Sequence, residues 1–170
     1  MVCKNNLPTL LFMSFYQFHS KQKVNASIDE IWDFISSPKN LKEITPNYMG
    51  FDIMNTYQPT EKMYEGMIIG YKVSPLLGIK TTWLTEITHI RDKQFFIDEQ
   101  RIGPYKMWHH QHFIEPIENG VLMTDTVTYQ PPFGLIGAIA NKFVIQSKIK
   151  QIFDYRTVAL ENRYGKYREK

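Results

Sequence analysis

Apolar and polar residues alternate with two different periods along this chain, and the switch between them divides it. In the last third the period is helical. Ile145, Ile149, Ile152, Phe153 and Leu160 recur in steps of three, four and seven, which draws one stripe down a helix. Lys148, Lys150, Asp154 and Glu161 fall off that stripe and are expected to face water. An earlier apolar set, Leu135, Ile136, Ile139, Ala140, Phe143 and Val144, points in another direction at about 100° per residue. Residues 135–164 therefore read as one long helix that bends near Gln146–Ser147 or packs its first turns on a second surface. Both stripes can be core, or the segment 135–144 can lid a cavity while 149–160 anchors on a sheet. About 25 helical residues would span about 37 Å, more than is needed to close a small core.

Upstream of residue 130 the period is two. Residues 15–24 alternate as a strand. Ser27 then offers an N-cap with Glu30 three residues on, a capping box, and Ile28, Ile31, Trp32 and Ile35 line one face of the helix it opens. Pro38 starts a second short helix over 38–44, which stops before Pro46. From there only strands and turns succeed one another: 51–56, 66–73, 81–91, 94–102, 105–114 and 121–129. The turns are marked by Ser74-Pro75 with Gly78, by Asp92-Lys93, by Gly103-Pro104 and by Glu118-Asn119-Gly120. Such hairpin succession makes an antiparallel sheet, whose one dry face must be covered. The predicted fold class is α+β, a curved antiparallel seven-stranded sheet wrapped on a long C-terminal helix, with two short helices after the first strand.

Composition narrows the classes. The 170 residues are 43% hydrophobic and carry a net charge of +3, enough for one core and too evenly mixed for a nucleic-acid stripe. We expect a loose extension over 1–13, one domain over 14–165 and a tail over 166–170. The apolar run Leu7–Phe15 is short, broken by Pro8, and leads to no small-residue cleavage site. No run approaches the ~20 residues that span a bilayer. The single Cys3 excludes an internal disulfide and fits a reducing compartment such as the cytoplasm. Nothing in the spacing calls for a metal or another cofactor, and nothing sets an oligomeric state.

The stretch YKMWHHQHFI, 105–114, carries the candidate chemistry. Trp108, His110, His112 and Ile114 share one strand face. Which face is inside depends on the Gly103-Pro104 turn. A two-residue turn pairs Glu99 with Trp108, whereas a bulged three-residue turn pairs Gln100 with Trp108 and Asp98 with His110. The bulged register is preferred because it buries Trp83, Ile87, Phe96, Trp108 and Ile114 together and sends Glu86, Glu99, Arg101 and Lys106 outward. A one-residue slip would reverse this. In that register Asp98, Gln100, His110, His112 and Asp125 gather on the concave face. They form a self-satisfied network, a polar spot that orients a ligand head group, or a His–Asp general base. No Ser or Cys nucleophile is placed nearby, and two histidines at alternate strand positions are weak grounds for zinc.

The helix entry SIDEIWDFISSPKNLKEITP, the run DEQRIGPYKMWHHQHFIEP and the segment GVLMTDTVTYQPPFG resemble the SRPBCC superfamily over nearly the whole chain. This superfamily has the helix-grip fold shared by START lipid-transfer domains and the birch-pollen allergen family. The subfamily most similar is the bacterial ligand-binding group labelled cyclase/dehydrase-like. The resemblance implies a deep cavity between sheet and helix for a small hydrophobic or amphipathic molecule. Tyr71, Trp83, Phe96, Gln100, Trp108, His110, His112, Asp125, Tyr129 and Phe143 are the expected ligand-binding residues. If the protein were an enzyme, His110 with Asp98 or Asp125 would serve as acid/base. A protein-interaction module with a vestigial cavity is the third expectation. Fold likeness alone does not choose between these.

Overall fold

A computed structural model describes residues 15–54, 61–74 and 79–169. The expected extension over 1–13, and the turn residues Pro75 and Gly78, lie outside the described residues. Seven strands form one antiparallel sheet: β1 (Tyr16–Val24), β2 (Asp52–Ile53), β3 (Ile68–Val73), β4 (Thr81–Arg91), β5 (Phe95–Ile102), β6 (Met107–Ile117) and β7 (Gly120–Gln130). Their order is β1-β7-β6-β5-β4-β3-β2. The hairpins run in sequence across the sheet, and β1 closes against β7 with Tyr16 opposite Tyr129. The chain crosses from one edge to the other through α1 (Ile28–Ile35) and 3-10 turns at Pro38–Lys42 and Asn47–Met49.

The local signals explain these elements. Ser27 and Glu30 close the capping box reciprocally: the Ser27 N–H donates to Glu30 Oε2 at 2.8 Å and the Glu30 N–H to Ser27 Oγ at 3.3 Å. Pro38 sits at the start of its 3-10 turn. On β7, Val121, Met123, Asp125, Val127 and Tyr129 are all buried while every residue between them is not. The tight turns place Lys93 and Asn119 at φ of 55° and 62°, which Asn tolerates better than most residues.

The β5–β6 register is the bulged one. Asp98 pairs with His110 and Phe96 with His112. The ladder stops at Glu99 opposite His109, because the Gln100 side chain is drawn into the turn: Nε2 donates to the Tyr105 carbonyl at 2.7 Å and Oε1 accepts from the Tyr105 N–H at 3.2 Å. Arg101 on the outer face pairs with Glu86 at 2.5 Å and Glu99 at 3.0 Å.

The terminal helix is continuous in direction but not in register. It consists of α2 (Gly134–Ala140), a π-turn (Asn141–Ile145) and α3 (Gln146–Tyr164). The change of face comes one turn before the expected Gln146–Ser147 bend, because the wider π-turn rotates α3 relative to α2. Asn141 in that turn is buried, and its Oδ1 accepts the Tyr129 hydroxyl at 2.7 Å. Ile145, Ile149, Phe153 and Leu160 are buried against the sheet, as the later stripe requires. The earlier stripe is not core: Leu135, Ile136, Ile139 and Phe143 are exposed. Lys150 and Asp154 face water, whereas Lys148 and Glu161 are half-buried.

Candidate functional site

A cavity of about 140 Å³ lies between the middle of the sheet and α3. Its walls come from alternate positions on four strands: Tyr71 on β3, Trp83 and Thr85 on β4, Phe96 and Asp98 on β5, Trp108 on β6. Ile149, Ile152 and Phe153 of α3 close it from the other side, and Met49 and Phe51 border it. Aromatic rings pack against one another along this wall. Trp83 meets Tyr71 at 6.0 Å, Tyr105 at 5.7 Å and Trp108 at 5.3 Å between ring centroids. The Tyr71 hydroxyl and Thr85 Oγ1 satisfy each other at 2.8 Å. Burial pushes the Tyr71 hydroxyl up from its ordinary value, so it stays protonated.

An ionic cluster forms one part of the lining. His110 Nε2 lies 3.1 Å from Asp125 Oδ1 and its Nδ1 3.5 Å from Asp98. His112 sits between the same carboxylates, 2.9 Å from Asp98 and 2.8 Å from Asp125. The two imidazole rings are 3.7 Å apart, and His112 stacks on Phe96 at 4.0 Å. Arg156 of α3 reaches down to Asp125 Oδ1 at 3.2 Å, its guanidinium 4.7 Å from the Phe153 ring.

Proximity forces the histidines apart in charge. Burial, then the neighbouring His112, lowers the His110 value to about 4, so His110 is neutral near pH 7. Burial acts on His112 in the same sense, but the hydrogen bonds its ring donates to Asp125 and Asp98 outweigh it and raise its value above the ordinary 6.5. Burial alone would raise Asp98 and Asp125. The His112 hydrogen bond and the surrounding positive charges hold Asp98 below the usual carboxylate range instead, and Arg156 with both histidines holds Asp125 well below it. Two carboxylates thus face Arg156, a neutral His110 and a His112 biased toward its charged form.

Asp98, His110 and His112 also bring ligand-type atoms within 4.8 Å of one another. This is the donor set of a two-histidine, one-carboxylate metal site. Every imidazole nitrogen, however, already faces a carboxylate, and Arg156 holds a positive charge against the cluster. An ion would have to displace those partners.

No protein-family model matches the chain, and no curated protein matches it. Solved structures do. A START superfamily protein from Mycobacterium smegmatis superimposes with a TM-score of 0.64 at 14% identity, covering 87% of this chain and 96% of that one. The ginseng (Panax ginseng) major latex-like protein 151 gives 0.64 at 13% identity, over 88% and 97%. A protein from Chromobacterium violaceum gives 0.67 at 8% identity, over 89% and 99%. The fold is the SRPBCC helix-grip fold.

Within this helix-grip frame the expected site residues separate. Tyr71, Trp83, Phe96, Trp108, His110 and His112 line the cavity, with Asp98 beside them. Four do not. Gln100 is spent on the Gly103-Pro104 turn. Asp125 lies behind the histidines as their hydrogen-bond partner. Tyr129 turns to Asn141. Phe143 is 72% exposed, because the π-turn carries its side of the helix away from the sheet. Arg156 was missed, yet it stands seven residues after Ile149, on the inward stripe, and a charge at such a position was the available signal. Two buried donors among the described residues have no hydrogen-bond partner, Trp83 Nε1 and Arg156 Nε. Both residues line the cavity.

Proposed function

We propose that the protein binds a small hydrophobic or amphipathic molecule in the cavity between the sheet and α3. The observation that carries this reading is the wall itself: aromatic and aliphatic side chains surround the space, and its charged groups gather mainly in one buried cluster. Apolar burial at about 25 cal/mol per Å² would supply affinity, and the cluster would orient the bound molecule. A cytoplasmic setting suits the single cysteine, and no helix among the described residues is long and apolar enough to cross a membrane. Mass spectrometry of an organic extract of the purified protein tests the proposal. A co-purifying small molecule is expected at near-stoichiometric yield. Extracts that match a blank, together with no response to a panel of apolar probes, would overturn it.

An acid/base role is the second reading, favoured by one observation: His110 is neutral near pH 7 and lines the cavity rather than the solvent. The engagement of its ring nitrogens by Asp125 and Asp98 favours binding over chemistry. His110→Ala separates the two, since loss of turnover with binding retained would mark a catalytic role.

A further inference from the structure

Three side chains with metal-ligating atoms line the cavity, Asp98, His110 and His112, and the sheet register fixes their relation. Asp98 on β5 lies opposite His110 on β6, and His112 lies opposite Asp125 on β7. One nitrogen of each ring is turned to Asp98 and the other to Asp125. His110 Nδ1 is 3.5 Å and His112 Nε2 2.9 Å from Asp98 Oδ2. His110 Nε2 and His112 Nδ1 both meet Asp125 Oδ1, at 3.1 and 2.8 Å. This division matches the two shells of a metal centre. Donor atoms around a tetrahedral ion bound at about 2.0–2.1 Å stand roughly 3.3 Å apart, a spacing that the two distances to Asp98 bracket. Histidine ligands hand their second nitrogen to an outer carboxylate, the position that Asp125 takes behind both rings.

The displacement an ion requires is small. At 3.5 Å the His110 contact with Asp98 is too long for a hydrogen bond. The bond to be given up is the one between His112 and Asp98 at 2.9 Å; its proton leaves and Asp98 remains as a ligand. Two cations in the same lining, Arg156 and Lys148, oppose a divalent ion. Arg156 is offset by Asp125 at 3.2 Å, and the half-buried Lys148 is turned to Gln151 Oε1 at 3.1 Å. We propose that Asp98, His110 and His112 bind a divalent transition ion of the zinc type, with Asp125 orienting both imidazoles and the open coordination position facing the cavity. This goes beyond the small-molecule reading and does not depend on it.

The test uses the full chain, which carries five histidines and one cysteine. His19 and His89 are exposed, and His109 pairs with Glu99 on the outer face. A variant with Cys3→Ser, His19→Gln, His89→Gln and His109→Gln therefore keeps only His110 and His112. After chelator treatment, zinc titrated into this variant by calorimetry is expected to bind at one ion per chain, with a Kd of about 10 μM or tighter and within threefold of the wild type. His112→Gln and Asp98→Asn are each expected to weaken binding at least tenfold. Asp125→Asn, which leaves the three ligands in place, is expected to weaken it by about 10–100-fold. Zinc binding lost from the four-residue variant, or undiminished in a folded His112→Gln, would overturn the site. Should circular dichroism show the buried variants unfolded, the four-residue variant decides alone. Failure here leaves the small-molecule reading to its own extraction test.

Discussion

At the scale of single residues the cluster behaves as a unit, and removing one member leaves the rest in deficit. Asp125 answers His110, His112 and Arg156 at once. Asp125→Asn keeps the shape and removes the charge, and breaking a buried ionic group in this way typically costs about 3–5 kcal/mol. Chemical denaturation of the variant checks this; a loss under about 1 kcal/mol would show that the cluster's charge is not needed for stability. The histidines give opposite pH signs. The fold lowers His110 to about 4 from an ordinary 6.5. Its contribution is therefore intact above pH 6.5 and is lost as the pH falls toward 4. Asp98 and Asp125 extend that loss below 3.8, their ordinary value. His112 is raised, so its contribution is full below pH 6.5 and fades as the pH climbs through its folded value. Thermal stability of the wild type should fall between pH 6.5 and 4, and His110→Gln should flatten that slope. A parallel slope in the variant would assign the acid sensitivity to other groups.

At the scale of elements, the terminal helix shows how one irregular turn divides labour. The π-turn at Asn141–Ile145 is pinned by the Tyr129–Asn141 hydrogen bond. On its far side Phe153 is buried, touching Phe18 at 4.9 Å between ring centroids, whereas Phe143 within the turn is exposed. These two phenylalanines of one terminal helix thus differ in consequence. Phe153→Ala should cost about 3–5 kcal/mol as a cavity in the core. Phe143→Ser should stay within about 0.5 kcal/mol and leave probe binding unaltered. Equilibrium unfolding of the pair, with calorimetry on the second, decides; weakened binding in Phe143→Ser would restore the lid expected for residues 135–144. Periodicity could find both stripes here because apolar spacing is written in the sequence. It could not tell which stripe was buried, since an α-helical wheel assumes about 3.6 residues per turn throughout and a π-turn breaks that assumption.

At the scale of the whole molecule the cavity exists because the curved sheet and α3 do not fill the space between them. Filling it from the helix should separate stability from function. Ile152 is half-buried and lines the cavity. Ile152→Phe should lower probe affinity at least tenfold while costing no more than the roughly 1–3 kcal/mol of added volume in a core, since the ring enters existing space. Retained affinity by calorimetry would place the ligand elsewhere. Much of this architecture was legible beforehand. The capping box, the two-residue alternation on β7 and the inward face of β6 are local properties, fixed by backbone stereochemistry and by which side chains avoid water. The β5–β6 register was also legible, because only one choice buries Trp108 with Phe96 and sends Arg101 outward. The tertiary structure decided everything that depends on distant segments meeting. β1 lies beside β7, Arg156 crosses from α3 to Asp125, and Gln100 is spent on a turn rather than on the cavity. The physical reason is common to all three. Hydrogen-bond partners and charge partners are chosen by position in space, while hydrophobic period records only which side of an element faces inward.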